Sequence, residues 1–297
     1  MPQTSTTGQL ENASKEMIAQ ARYTEEHNAP VVQLVERFKL EKGADTLVIP
    51  KVGQMTMSTL SEGQDIVDEE DLGMSSVSVT PGEVGAKVII TDKLLRQSTQ
   101  NIWGIVGRQL GDGMARRKDT DLIELFTALN AGADLSSAGR LLTVANSMSV
   151  IGVAKADKYG SDLRAVFHPN SILNLAKDLT VIGASTWATT DAGGTAAIPH
   201  GISEEKLQKF WTGMRLGGVP FYETGNITID SNGDGQGAIF DKGALGILES
   251  VSISREKERD ASLRAWEMVM VADYAAFEID DDRGAGVLVD AANHATT

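Results

Sequence analysis

A chain of 297 residues, 41% of them hydrophobic, can bury one sizeable core or two modest ones, and its lack of cysteine excludes disulfides and thiolate metal sites. A net charge of −14 argues against wrapping nucleic acid, which needs Lys and Arg in excess, but suits a surface that lies near DNA without adhering to it. No apolar run reaches the roughly 18 residues that span a bilayer, and the N-terminus, MPQTSTTGQLENASKE, lacks the basic-then-apolar order of a signal peptide.

Residues 1–28 are polar, with a short helical signal around Lys15–Arg22. Val31–Leu40, VVQLVERFKL, is a short apolar element able to anchor such an arm. From Asp45 to Asp92 two strand-like runs, Thr46–Pro50 and Val77–Ile90, enclose a polar excursion. Its Glu62, Asp65, Asp68, Glu69, Glu70 and Asp71 form an acidic cluster without a Lys or Arg. This reads as a long β-hairpin leaving the body of the protein. Connections of such length are rare in a compact domain unless functional, and an isolated ribbon is marginal in water, so this one should lie on something else.

Ser98–Asn130 has the period of an amphipathic helix, roughly 48 Å long at about 1.5 Å per residue. Ile102, Val106, Leu110 and Met114 begin its stripe and Leu122, Leu125, Phe126 and Leu129 continue it. Arg108, Arg116, Arg117, Lys118, Asp119 and Glu124 are assigned to the remaining surface. Gly104, Gly107, Gly111 and Gly113 each weaken a helix interior by about 1 kcal/mol relative to Ala, so packing must hold it.

Leu141–Tyr159 reads as a helix, Leu163–Phe167 as a strand, and Ser171–Leu179 as a helix capped by Asn170. Gly183–Gly201 reads as an exposed loop and Ile202–Phe210 as a helix, started by a near capping box at Ser203. Gly218–Tyr222, Asn226–Ile229 and Gly237–Phe240 read as strands, which makes an α/β layer of residues 140–245. Ile247, Val251 and Ile253 lead into the charged Arg255–Asp260. In Leu263–Ala276 the residues Trp266, Met268, Met270 and Ala272 face one way and Val269 and Val271 the other. A turn at Asp282–Gly284 precedes a last strand, Gly286–Val289.

No catalytic constellation is evident: there is no G-x-S-x-G elbow, no P-loop and no G-x-G-x-x-G opening a helix. His27, His168, His200 and His294 lack metal-ligand spacing, and His168 before Pro169 reads as a satisfied turn residue. Trp103, Trp187, Trp211 and Trp266 read as packing residues, and no catalytic or cofactor-binding residue is assigned. Asp230, Asn232, Asp234 and Asp241 fit the calcium-loop template D-x-[DN]-x-[DN]-G-x5-E with Asp for the final Glu, yet Gly237 stands where a hydrophobe is expected. The same residues would make a tight hairpin, and both readings stay open at this stage.

The order of these elements resembles the major capsid proteins of tailed double-stranded DNA bacteriophages, the Hong Kong 97-type fold. Local matches are Phe167–Asp178, FHPNSILNLAKD, and Gly243–Asp280, GALGILESVSISREKERDASLRAWEMVMVADYAAFEID. The resemblance implies an α+β fold with an N-terminal arm (1–44), an extended E-loop (45–92), a peripheral domain with the spine helix (93–137 and 246–278) and an α/β axial domain (138–245 and 279–297). In that family the run 243–280 is a long strand pair with a charged turn. The implied role is structural: pentamers and hexamers of an icosahedral shell around double-stranded DNA, held without sequence-specific contacts, assembled in the host cytoplasm and resident in the virion. Implied partners are further copies of the chain, a separate scaffolding protein, a portal and a decoration protein, with no membrane. Encapsulin-like nanocompartments share the fold and stand as the alternative, beside a calcium-binding α/β domain. Some members of the capsid family join an E-loop Lys covalently to a neighbour's Asn. Here Val52–Ala86 contains no Lys, and Lys51 and Lys87 stand at its base, so a shell without cross-links is expected.

Overall fold

A stiff helix lies between two sheets in the computed structural model, which describes residues 29–41, 43–52, 59, 62, 73–97, 102–184 and 215–292, with 179–184 by backbone only. The expected helices at Lys15–Arg22 and Ile202–Phe210, most of the Gly183–Gly201 loop, and the acidic cluster beyond Glu62 lie outside these residues.

The chain enters through a 3-10 turn, Val31–Gln33, whose surroundings Ala29, Val31, Val32, Leu34 and Val35 are all buried. Strand β1, Glu36–Lys39, then pairs in parallel with β9, Leu245–Asp260. A separate ribbon joins β2, Leu47–Val52, to β3, Met74–Val79, in antiparallel register from Leu47 opposite Val79 to Val52 opposite Met74. The run expected as one strand over 77–90 is two. Thr80-Pro81 interrupts it, because proline has no N–H to give a ladder. Strand β4, Gly82–Thr91, leaves the ribbon and pairs with β10, Ala265–Glu278. One sheet therefore has the order β1-β9-β10-β4.

After a short helix α1, Asp92–Gln97, the long helix α2 runs over Ile102–Glu124, about 35 Å. It is shorter than the expected Ser98–Asn130. Leu125–Thr127 tightens to 3-10 geometry, and Asn130 and Ala131 take φ of +57° and +51°, left-handed conformations that no α-helix continues through. Both oxygens of the Asp281 carboxylate accept the Ala131 N–H there, at 2.9 and 3.0 Å, and hold the break. The stripe itself matches: Val106, Leu110, Met114 and Leu122 are buried, as are Gly104, Gly107 and Gly111, whose small size lets the helix approach its neighbours.

Helix α3, Val144–Ala156, begins with the Thr143 side chain accepting the Asn146 N–H at 3.2 Å. Strand β5, Leu163–Phe167, lies where expected. Helix α4, Pro169–Ala184, starts earlier than expected because proline is well suited to the first helical position. The residue capping it is His168, whose Nδ1 accepts the Asn170 N–H at 3.2 Å; Asn170 instead donates to the Ala291 carbonyl at 2.9 Å. Strands β6 (Arg215–Leu216), β7 (Val219–Glu223), β8 (Asp234–Asp241) and β11 (Gly284–Asp290) complete the second sheet, in the order β11-β8-β5-β7-β6. Only β5 and β7 run parallel in it. The strand expected at Asn226–Ile229 is absent, and Ile229 makes a single bridge to Gly235. Asp230 turns the chain there by accepting the N–H groups of Asn232 and Asp234, both at 2.8 Å. The strand pair implied for 243–280 is β9–β10, and the charged Arg255–Asp260 lies within its first strand. The reversal falls at Ala261–Arg264.

The C-terminal half of α2 supplies Met114, Ala115, Leu122 and Ile123 to a core that the arm (Val31, Val32), the first sheet (Ile247, Ala272) and the second (Ala238, Phe240) all enter. Its N-terminal half packs Val106 and Leu110 on Ile90, Ile253, Met268 and Met270. Helices α3 and α4 cover the second sheet through Val150, Ile151, Ile172 and Leu175. Gly237, out of place in a calcium loop, is explained by the second sheet, since a Cβ there would lie 2.7 Å from the Val166 carbonyl and against the Phe167 ring. Gly237→Ala is therefore expected to destabilise the fold by about 1–3 kcal/mol, read as a lowered denaturation midpoint in urea.

Candidate assembly interface

Two charged residues that the stripe assigned to the surface of α2 are buried. Lys118 is 1% and Asp119 0% exposed, because both turn onto the side of the helix that the arm and sheets cover. Taking charge out of water is expensive unless every lone pair and proton finds a partner. Asp119 accepts the Val31 N–H at 2.9 Å, the Thr224 hydroxyl at 2.9 Å and the Asn226 amide at 2.8 Å. One carboxylate thus holds the arm and the segment after β7 to the helix. Burial raises its pKa, and the donors pull the other way. Lys118 Nζ reaches Glu249 of β9 at 2.8 Å and lies 5.4 Å from the Tyr274 ring. The Tyr274 hydroxyl donates to Asp121 at 2.7 Å, and Asp121 also pairs with Arg117 at 3.0 Å. Burial and the Asp121 carboxylate raise the Tyr274 pKa, so this phenol stays protonated. The arrangement contains no exposed nucleophile–base pair; it is a mechanical lock. The signal in the sequence was the spacing Ala115, Lys118, Asp119, Leu122, which places the two charges within the stripe.

The ribbon is two-faced. Leu47, Ile49, Val77 and Val79 pack with Phe38, Leu248 and Phe277 of the body. On the other side Val48, Val52 and Met74 are 57%, 55% and 66% exposed. Lys51, opposite Ser75 near the far end of the β2–β3 ladder, is bonded to Asp280 and lies 3.7 Å from Asp282. Lys87 pairs with Glu267 across β4 and β10. Both lysines that flank Val52–Ala86 are therefore engaged in ion pairs.

The calcium-template residues are not brought together. Asp230 and Asp234 satisfy backbone N–H groups, Asp234 accepting from Gly139 at 2.8 Å. Asp241 stands at the far end of β8, about 23 Å along an extended strand from Asp234. There it accepts the Asp162 N–H at 2.9 Å and lies 3.6 Å from Arg283. A loop whose twelfth ligand is a strand-length away cannot close on one cation. Burial lowers the His168 pKa, consistent with the neutral, proton-accepting Nδ1 of a cap. Trp103 packs on the core under α2, and Trp266 lies beneath Lys257 and Arg259, 5.7 and 5.5 Å from its centroid. Trp187, Trp211, His27, His200 and His294 lie outside the described residues.

Truncating Asp119 to Ala strands three donors and is expected to destabilise the subunit by about 3 kcal/mol or more. Asp119→Asn retains an acceptor and sheds the buried charge, so its loss should be smaller. Urea denaturation of both variants measures the difference.

No family model and no curated protein sequence matches the chain. Solved structures do match in fold. The capsid of a native GTA particle superposes with a TM-score of 0.63 at 14% identity, covering 89% of this chain and 90% of that one. The capsid of cyanophage P-SCSP1u gives 0.59 at 14% identity, covering 88% and 87%. The holo-SrpI encapsulin complex of Synechococcus elongatus PCC 7942 gives 0.59 at 13% identity, covering 90% of each chain. Over most of its length the chain has the Hong Kong 97-type fold of tailed-phage capsid proteins.

Proposed function

We propose that this chain is a major capsid protein that assembles into pentamers and hexamers of an icosahedral shell enclosing double-stranded DNA. In this reading residues 1–44 are the arm, 45–92 the E-loop, 93–137 and 246–278 the peripheral domain, and 138–245 and 279–297 the axial domain. The observation that carries it is the ribbon β2–β3: one face sits on its own body, while Val48, Val52 and Met74 stand exposed on the other. Exposed apolar side chains on the outer face of a ribbon are a liability in a solitary subunit and a contact in an assembly. The net charge of −14 supports a lumen that DNA fills without adhering.

Its likeness to an encapsulin, with the same TM-score as to the cyanophage capsid, favours a second reading, a nanocompartment shell. Electron microscopy of particles made with the proposed scaffolding protein, followed by analysis of their nuclease-resistant contents, separates the two. Protected double-stranded DNA supports the capsid, a protein cargo the nanocompartment, and a lasting monomer neither.

Val48→Asp combined with Met74→Asp is expected to abolish particles while moving the subunit's thermal midpoint by no more than about 2–4 °C, since both side chains face solvent. Particles boiled in detergent should run as one band at subunit mass, because Lys51 and Lys87, which flank Val52–Ala86, are held in ion pairs. A ladder of higher bands would overturn the non-covalent shell.

A further inference from the structure

The stretch Arg255-Glu256-Lys257-Glu258-Arg259-Asp260 alternates in sign at every residue. On a strand, successive side chains point to opposite faces, so the alternation sorts the charges. Register with β10 sets Arg255 opposite Met270, Lys257 opposite Met268 and Arg259 opposite Trp266. Met268 and Met270 pack under α2, so the three cations share the helix-side face. Glu256 opposes Val269, Glu258 opposes Glu267 and Asp260 opposes Ala265, so the three anions share the reverse face.

Within the subunit these charges are only partly satisfied. Arg259 pairs with Asp92 at 3.0 Å, Glu267 pairs with Lys87, and Asp260 caps the turn by accepting the Ser262 and Leu263 N–H groups. Glu256, Glu258 and Lys257 have no ion-pair partner among the described residues, and Arg255 Nη1 is buried without a hydrogen bond. Glu258 directly opposite Glu267 is a like-charge pair that weakens the hairpin. Among the described residues no strand pairs with the outer edge of β9 beyond Glu249, where pairing with β1 ends.

From this arrangement we infer that the β9–β10 hairpin is a head-to-tail electrostatic joint, in which the exposed cation Lys257 of one subunit receives the anionic face (Glu256, Glu258) of the same hairpin on a second copy. The inference rests on the shell-forming reading and names one of its contacts. The partner is a second copy because one hairpin carries both complementary faces, and such a contact uses two different patches, as ring-closing interfaces do. Exposed pairs of this kind weaken with salt, since screening acts within about 8 Å at physiological ionic strength.

The test is a charge-reversal cycle in the full chain: Lys257→Glu, Glu258→Lys and the double variant, each assembled beside wild type at low and high salt and read by sedimentation. Each single reversal should raise the subunit concentration needed for assembly about tenfold at low salt, and the double variant should recover most of that loss. High salt should shrink all the differences. Thermal unfolding checks that each subunit folds, and Lys257→Gln with Glu258→Gln, expected to act in the same direction more weakly, replace any reversal that does not. Singles that assemble as wild type does, or a double no better than the singles, overturn the joint and leave the shell reading intact. Wild type that never assembles at any ionic strength overturns both. A Lys257→Glu variant impaired only in binding added DNA, with assembly unchanged, would assign the cationic face to nucleic acid and likewise overturn the joint.

Discussion

The fold depends on a carboxylate and an ammonium buried side by side on one helix. Asp119 and Lys118 are taken out of water at a position where the arm, both sheets and the helix α2 converge, and each is stabilised only because a different element meets it. Val31 and Thr224 donate to different oxygens of Asp119, and Glu249 reaches Lys118 from β9. Remove any of these elements and a buried charge loses its partner, a penalty several times that of an ordinary hydrogen bond. The geometry of the subunit's centre is therefore set by polar satisfaction, with the apolar core of Met114, Leu122, Phe126 and Phe240 packed around it.

Away from that lock the molecule is progressively less self-contained. Helices α3 and α4 close well over the second sheet, and their cluster has its own apolar core. The ribbon buries one face and leaves Val48, Val52 and Met74 in water. The β9–β10 hairpin sorts six alternating charges onto two faces and leaves Glu256 and Glu258 without an ion pair among the described residues. These unmet groups lie away from the buried lock, on the edges of the subunit. In the proposed shell, a fixed middle with incomplete edges would let one chain occupy many positions, because the contacts could vary while the lock did not.

How much of this the sequence determined by itself follows from which forces are local. The α2 stripe, the β5 strand and the split between Met268–Met270 and Val269–Val271 follow from periodicity along a single element, and the described residues reproduce them, whereas the fold class was legible only through the resemblance carried by the order of the elements. Helix and strand ends followed less well, because they depend on particular caps. His168, not Asn170, caps α4, and Asp281, far away in sequence, ends the run after α2. What only the tertiary structure decided was the meaning of the charges. Lys118 and Asp119 look like surface residues until the arm and β9 cover them; Asp230 and Asp241 look like ligands until β8 extends between them. Arg255–Asp260 is only a charged run until β10 gives it a partner. The reason is physical: an apolar side chain needs only the absence of water, which a pattern encodes, whereas a charge needs a specific partner at about 3 Å, and that partner comes from another part of the chain.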